Sequence, residues 1–147
     1  MPYAPITEEF RRAERFGHAV SIAMVDVDDF KRINDTFSHM LADDVLRTVA
    51  KILKSQCRGI DVISRYGGDE FLLCFPETPT ASAVAVCEKI RNAIERFDWS
   101  SLDARLNVTT SIGVGGLEQG GGEKETLSMA DSKLYEAKRG GRNRVCG

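Results

Sequence analysis

The chain has 147 residues, the usual length of one compact domain, and such a chain buries roughly two-thirds of its unfolded surface. Hydrophobic residues make up 42% and charged residues 29%, which excludes disordered, collagen-like and membrane-spanning compositions. The formal net charge of −2 argues against a broad nucleic-acid or anionic-membrane surface, so an anionic ligand must be met by a local group of cations.

From Thr7 to Phe16, the apolar residues Phe10, Ala13 and Phe16 recur at helical spacing among many charges, predicting a short amphipathic connector helix that stops at Gly17. Ala19 to Val25 is apolar and β-branched and suits a buried strand, with Asp26 at its C-terminal end. Helical periodicity resumes at Asp29 to Asn34. It returns from about Asp43 to Cys57, where Val45, Leu46, Val49, Ile52 and Leu53 form one apolar stripe. Asp61 to Tyr66 and Glu70 to Phe75 read as two strands joined by a tight hairpin at Gly67-Gly68, with Asp69 and Glu70 at its tip.

Pro76 and Pro79 punctuate a loop before a long helix over Thr80 to Phe97, whose buried face is Ala83, Val84, Cys87, Ile90 and Ile94. A strand follows at about Leu106 to Val114. Gly115 to Gly122 reads as a flexible surface loop, since no Lys-Ser/Thr pair follows to make it a phosphate cradle. Thr126 to Arg139 is a last helix ending at Gly140-Gly141, before an edge strand at Arg144 to Cys146. The class is therefore α/β (α+β): a central, mixed, mostly antiparallel sheet of five strands flanked by helices. One domain is expected over 1–147, with about 1–17 as the connector and 18–147 as the core.

The four cysteines, Cys57, Cys74, Cys87 and Cys146, have no Cys-x-x-Cys spacing and stand apart from His18 and His39. They read as small apolar side chains of a reduced protein rather than zinc ligands. No stretch approaches the ~20 apolar residues that span a bilayer, and no signal-peptide pattern is present, so a cytoplasmic location is expected.

Two acidic clusters could carry chemistry: Asp26, Asp28 and Asp29 after the first strand, and Asp69 with Glu70 at the hairpin tip. If the two strands are sheet neighbours, these carboxylates converge at one edge and suit a hard cation such as magnesium. Taken alone, carboxylates at strand ends are commonly solvated turn residues. Lys31, Lys138 and Arg142 could pair a polyphosphate, although cations at a helix C-terminus also serve the macrodipole.

The string Arg65-Tyr66-Gly67-Gly68-Asp69-Glu70-Phe71 resembles the signature of the GGDEF family. Asp26-Val27-Asp28-Asp29-Phe30-Lys31-Arg32-Ile33-Asn34-Asp35 is similar to that family's first motif. Ala130-Asp131, Leu134-Tyr135-Glu136-Ala137-Lys138 and Gly141-Arg142-Asn143 are similar to its last. The resemblance implies a fold similar to nucleotide cyclase catalytic cores. It also implies a diguanylate cyclase that condenses two GTP into cyclic di-GMP and two pyrophosphates between two antiparallel domains, a homodimer that is transient for the isolated domain.

By this resemblance Asp26, the Val27 carbonyl and Asp69 hold magnesium, with manganese as the alternative ion. Asp69 helps to deprotonate the attacking 3′-hydroxyl and Glu70 supports the metal or substrate. Lys31, Lys138, Arg142 and the backbone at Asp29 and Phe30 meet phosphates, Gly67 and Gly68 border the nucleotide, and Asn34 and Asp43 read guanine. A carboxylate at Asp43 accepts from guanine N1–H and N2–H, a donor pair adenine lacks. Arg58 and Asp61 lie at the position of the family's product-inhibition site, where cyclic di-GMP binds; a loop ion pair is the alternative reading of the same two residues.

Ser38 and Ala42 stand where the family has glycines, and an added Cβ there could force the backbone or narrow the guanine pocket. A catalytically weak or inactive domain that binds cyclic di-GMP as a regulatory module is therefore the second reading. A regulatory domain is expected N-terminal to this one in the parent protein, with no nucleic-acid or membrane contact by this domain.

Overall fold

The computed structural model describes residues 4–147. The helices are α1 (Ala4–Phe16), α2 (Phe30–Thr36), α3 (His39–Gln56), α4 (Thr80–Arg96) and α5 (Glu123–Arg139). The strands are β1 (Val20–Val27), β2 (Val62–Arg65), β3 (Glu70–Pro76), β4 (Thr110–Gly116) and β5 (Arg144–Cys146). They form a five-stranded sheet in the order β2-β3-β1-β4-β5. Only the β4–β5 pair is parallel; the pairings of β1 with β3, β1 with β4, and β2 with β3 are antiparallel.

Both faces of the sheet are covered. Ala23, Val25 and Val27 of β1 share one apolar cluster with Val45, Val49 and Leu53 of α3 and Ala83, Cys87, Ile90 and Ile94 of α4. Val20, Ile22 and Met24 face the other way, onto Ile6, Phe10 and Ala13 of α1 and Ala130 and Leu134 of α5. Every residue of β1 is buried, the consequence of a central strand with helices on both sides. The α1 helix is thus docked on the sheet by three side chains that are at most 4% exposed.

Several expectations about local structure change, among them the start of α3 at His39 rather than about Asp43. The Gly67-Gly68 turn is wider than a two-residue hairpin: Tyr66 to Asp69 all lie outside the strands, and neither glycine has a positive φ. Gly115 and Gly116 belong to β4 and are buried rather than forming a surface loop. The reason is the approach of α5: a Cβ on Gly113 would lie 2.1 Å from the Leu134 nitrogen, and one on Gly115 2.6 Å from the Thr126 carbonyl oxygen. The α5 helix also begins earlier than expected, because the Glu125 side chain accepts from the Gly122 N–H at 2.9 Å and caps the first turn.

Ser38 and Ala42 cause no distortion. Ser38 is the N-cap of α3, extended at φ −105°, and its Oγ accepts from the Leu41 N–H at 3.1 Å. Ala42 is 2% exposed in the core.

Candidate active site

The register of β1 against β3 builds the site. Asp26 is paired directly with Glu70, and the Val27 N–H donates to the Asp69 carbonyl at 3.1 Å, so the end of the first strand and the acidic tip meet at one edge. One carboxylate oxygen from each of Asp26, Asp69 and Glu70 lies within 4.8 Å of the others. Arg65 fixes the tip, with Nη2 donating to the Gly68 carbonyl at 2.5 Å and Nε to the Gly67 carbonyl at 3.3 Å.

Asp26 is only 5% exposed. Burial pushes its carboxyl from 3.8 up to about 6, with the Asp69 charge adding to the rise and the Lys138 hydrogen bond opposing it. The Lys138 ammonium, from the last turn of α5, contacts Asp26 Oδ2 directly. Burial favours the neutral amine of Lys138, but the hydrogen bond it donates to Asp26 and the charges of Asp26, Glu70 and Asp69 outweigh it and hold its pKa above the ordinary value.

Asp26 Oδ1 is buried with no hydrogen-bond partner. An orphaned acceptor facing two further carboxylates suits a hard divalent cation, which takes oxygen ligands and neutralises such a group. The donor set therefore fits magnesium or manganese.

The structure does not gather every expected residue. Asp28 and Asp29 leave the carboxylate group: Asp28 is buried in hydrogen bonds to other segments, and exposed Asp29 starts α2 in the left-handed region at φ 54°. Arg142 Nε stands 3.7 Å from Asp29 Oδ1. Lys31 is exposed and Phe30 half-buried in the first turn of α2, a helix with no side-chain cap. Asn34 Oδ1 is buried without a partner. Asp43, exposed on α3, lines a cavity of about 320 Å³ with Leu46, Ala50 and Arg65, and Asn34 lies outside it.

A larger cavity, about 430 Å³, contains Asp28, Asp29, Arg32, Phe37 and Arg105 but none of the three clustered carboxylates.

Arg58 and Asp61 meet at the opposite end of β3 from Glu70, beside Pro76. Arg58 Nη2 is 3.0 Å from Asp61 Oδ1 and also donates to the Pro76 carbonyl and Thr78 Oγ1, both at 2.8 Å. The Arg58 N–H donates to Asp61 Oδ2 at 2.7 Å.

Residues 3–144 match the family described as diguanylate cyclase, GGDEF domain. The chain belongs to the GGDEF family. Among relatives of this GGDEF domain, diguanylate cyclase A of Treponema denticola is 45% identical over 86% of this chain and 34% of its own length. The active GGEEF domain of a diguanylate cyclase from Vibrio cholerae superposes with a TM-score of 0.89 at 31% identity, covering 95% of this chain and 88% of that one. The GGDEF domain of DgcB from Caulobacter crescentus, in complex with c-di-GMP, gives a TM-score of 0.86 at 32% identity over 99% and 88% of the two chains. The chain spans about a third of the length of the curated relatives it matches. Among the described residues no helix is long and apolar enough to cross a membrane.

Sequence reasoning gave Asp28 to the carboxylate group and assigned nothing to Thr109, Ser111 or Arg65. The only signal for Arg65 was its place in the signature string.

Proposed function

We propose that this GGDEF domain is a diguanylate cyclase acting on GTP. The observation that carries the reading is the convergence of Asp26, Asp69 and Glu70 around a buried, unpartnered acceptor, with Lys138 beside them. In the reaction each 3′-hydroxyl of one GTP attacks the α-phosphate of the other. A 3′-O–P bond forms, the bond from the α-phosphate to the bridging oxygen breaks, and pyrophosphate leaves, twice, to give cyclic di-GMP. A homodimer supplies the two nucleotides, and its formation makes the rate depend on protein concentration.

Asp26, the Val27 carbonyl and Asp69 would hold magnesium or manganese, which supplies charge neutralisation at the reacting phosphate oxygens. Asp69 accepts the proton of the 3′-hydroxyl, and Glu70 orients the same edge. Lys31, Lys138, Arg142 and the backbone at Asp29 and Phe30 bind the phosphate tail. Asn34 and Asp43 read guanine; the unpartnered Asn34 Oδ1 is the kind of buried acceptor that a ligand N–H satisfies. At Gly67 a Cβ would meet nothing closer than 3.5 Å, and at Gly68 nothing within 4 Å. Neither packing nor φ therefore calls for glycine there, which favours close approach of a ligand.

Cyclic di-GMP binding at Arg58 and Asp61 would provide product feedback, in a protein with a regulatory domain N-terminal to this one. The second reading, a weakly active cyclic di-GMP-binding module, is favoured by the preformed Arg58–Asp61 pair. The deciding experiment incubates concentrated protein with GTP and magnesium and separates the products by chromatography. Cyclic di-GMP and pyrophosphate in a 1:2 ratio support the cyclase; tight cyclic di-GMP binding without turnover supports the module.

A further inference from the structure

Asp28 is 7% exposed, and three donors from distant segments converge on it. Thr109 Oγ1 donates to Oδ2 at 2.7 Å, Ser111 Oγ to Oδ1 at 2.6 Å, and the Asn143 N–H to Oδ2 at 3.0 Å. One carboxylate thus ties the end of β1 to the start of β4 and to the turn between α5 and β5.

That turn has an uncommon backbone. Gly141, Arg142 and Asn143 are consecutive left-handed residues with φ of 119°, 64° and 47°. Residues with a Cβ persist there only where the surroundings over-determine them. Asp28 grips the backbone of the turn, while α4 grips its side chain. Arg91 Nη1 donates to Asn143 Oδ1 at 2.9 Å, and Asn143 Nδ2 donates to Glu95 Oε2 at 2.5 Å. Asp29, the next residue after Asp28, is itself left-handed and stands 3.7 Å from the Arg142 guanidinium. Three of the four non-glycine residues with positive φ among those described therefore surround one buried carboxylate.

We infer that Asp28 is a positioning residue for nucleotide binding: by holding the Asn143 amide it locks the left-handed turn that presents Arg142 to the phosphate tail. The inference rests on the GTP reading above. It assigns Asp28 to preorganisation of a cation rather than to metal binding, and fixing such a group before the ligand arrives is what makes it effective. Its signature is selective. Arg142 would meet the β- and γ-phosphates, so loosening the turn weakens binding of a triphosphate and spares a monophosphate.

The test compares the affinity of α,β-methylene-GTP, by calorimetry, with that of GMP, by NMR titration, both at one magnesium concentration. Asp28→Ala is expected to weaken the triphosphate analogue at least about tenfold, leaving GMP within about twofold. Asp28→Asn should restore most of the affinity, because its carbonyl accepts from Asn143 N–H and the Thr109 hydroxyl while its amide donates to the Ser111 hydroxyl. Combining Asp28→Ala with Arg142→Ala should be no worse than Arg142→Ala alone, the non-additivity of residues acting as one unit.

Equal losses for the two ligands, no loss for either, or additive effects of the two substitutions overturn the assignment. If Asp28→Ala folds poorly, Arg91→Ala loosens the same turn from α4. It should give a loss of about threefold confined to the triphosphate; a wild-type ratio of affinities overturns the inference. A wild-type chain that binds neither ligand removes the GTP reading and this inference with it. That outcome is distinct from a wild type that binds both and a variant that fails to discriminate.

Discussion

Replacing Asp26 by Asn should stabilise the domain while ending its chemistry. Asp26 is nearly inaccessible, carries an unpartnered oxygen and faces Asp69 and Glu70. Its carboxyl is raised from 3.8 to about 6, so the fold holds that proton more tightly than the unfolded chain. The stability this contributes is complete below about 4 and is lost as pH rises through about 6; at pH 7.5 the ionised form costs on the order of 3 kcal/mol. That net cost already counts the attraction of Lys138; Asn removes it but sets an amide that can turn its N–H donors toward the Lys138 ammonium, so the gain should be smaller, about 1–2 kcal/mol. For a chain of this length that is a rise in Tm of about 3–6 °C. Differential scanning calorimetry at pH 7.5, with divalent cations chelated, measures it. A Tm that stays level or falls would refute the reasoning, because the Lys138 ion pair would then outweigh the burial and repulsion of the carboxylates.

Magnesium should raise the wild-type Tm at pH 7.5, and this gain should fade as pH drops below about 6, where Asp26 takes up its proton and competes with the cation; calorimetry across pH 5 to 8 checks the sign. Asp69→Ala should abolish turnover, and the wild-type rate per protein should climb with protein concentration, both readable from product chromatography. Arg58→Ala should remove cyclic di-GMP binding in titration calorimetry. It should also cost about 1–2 kcal/mol of stability, since the Asp61 side chain, 2% exposed, keeps only the backbone N–H of residue 58 as a donor. Gly113→Ala should prevent folding, or cost more than about 3 kcal/mol, because its Cβ would sit 2.1 Å from the Leu134 nitrogen; circular dichroism is sufficient to see this.

Much of the fold was legible because periodicity and burial agree. The stripe of Val45, Val49 and Leu53 and that of Ala83, Cys87, Ile90 and Ile94 are the buried faces of α3 and α4. The failures occur where long-range packing decides. Gly115 and Gly116 look like loop formers in sequence, yet they belong to β4, where Gly113 and Gly115 make the smooth face against which the α5 backbone lies. Strand β4 starts at Thr110 rather than Leu106; Leu106 and Val108 are apolar because they close the core, not because they pair.

In the site, the signature string and the aspartate ending β1 suffice to bring Asp26, Asp69 and Glu70 together. Asp28 could not be separated from Asp26 by composition: both are buried carboxylates two residues apart on the same strand end. Only the donors supplied by Thr109, Ser111 and Asn143 distinguish them.

The most direct test of the carboxylate site is anomalous diffraction from crystals grown with manganese and a non-reacting GTP analogue. A manganese peak about 2.2 Å from oxygens of both Asp26 and Asp69, bridging to the nucleotide phosphates, is the expected result. A nucleotide bound elsewhere on the domain, with no metal peak between those two carboxylates, would contradict the account.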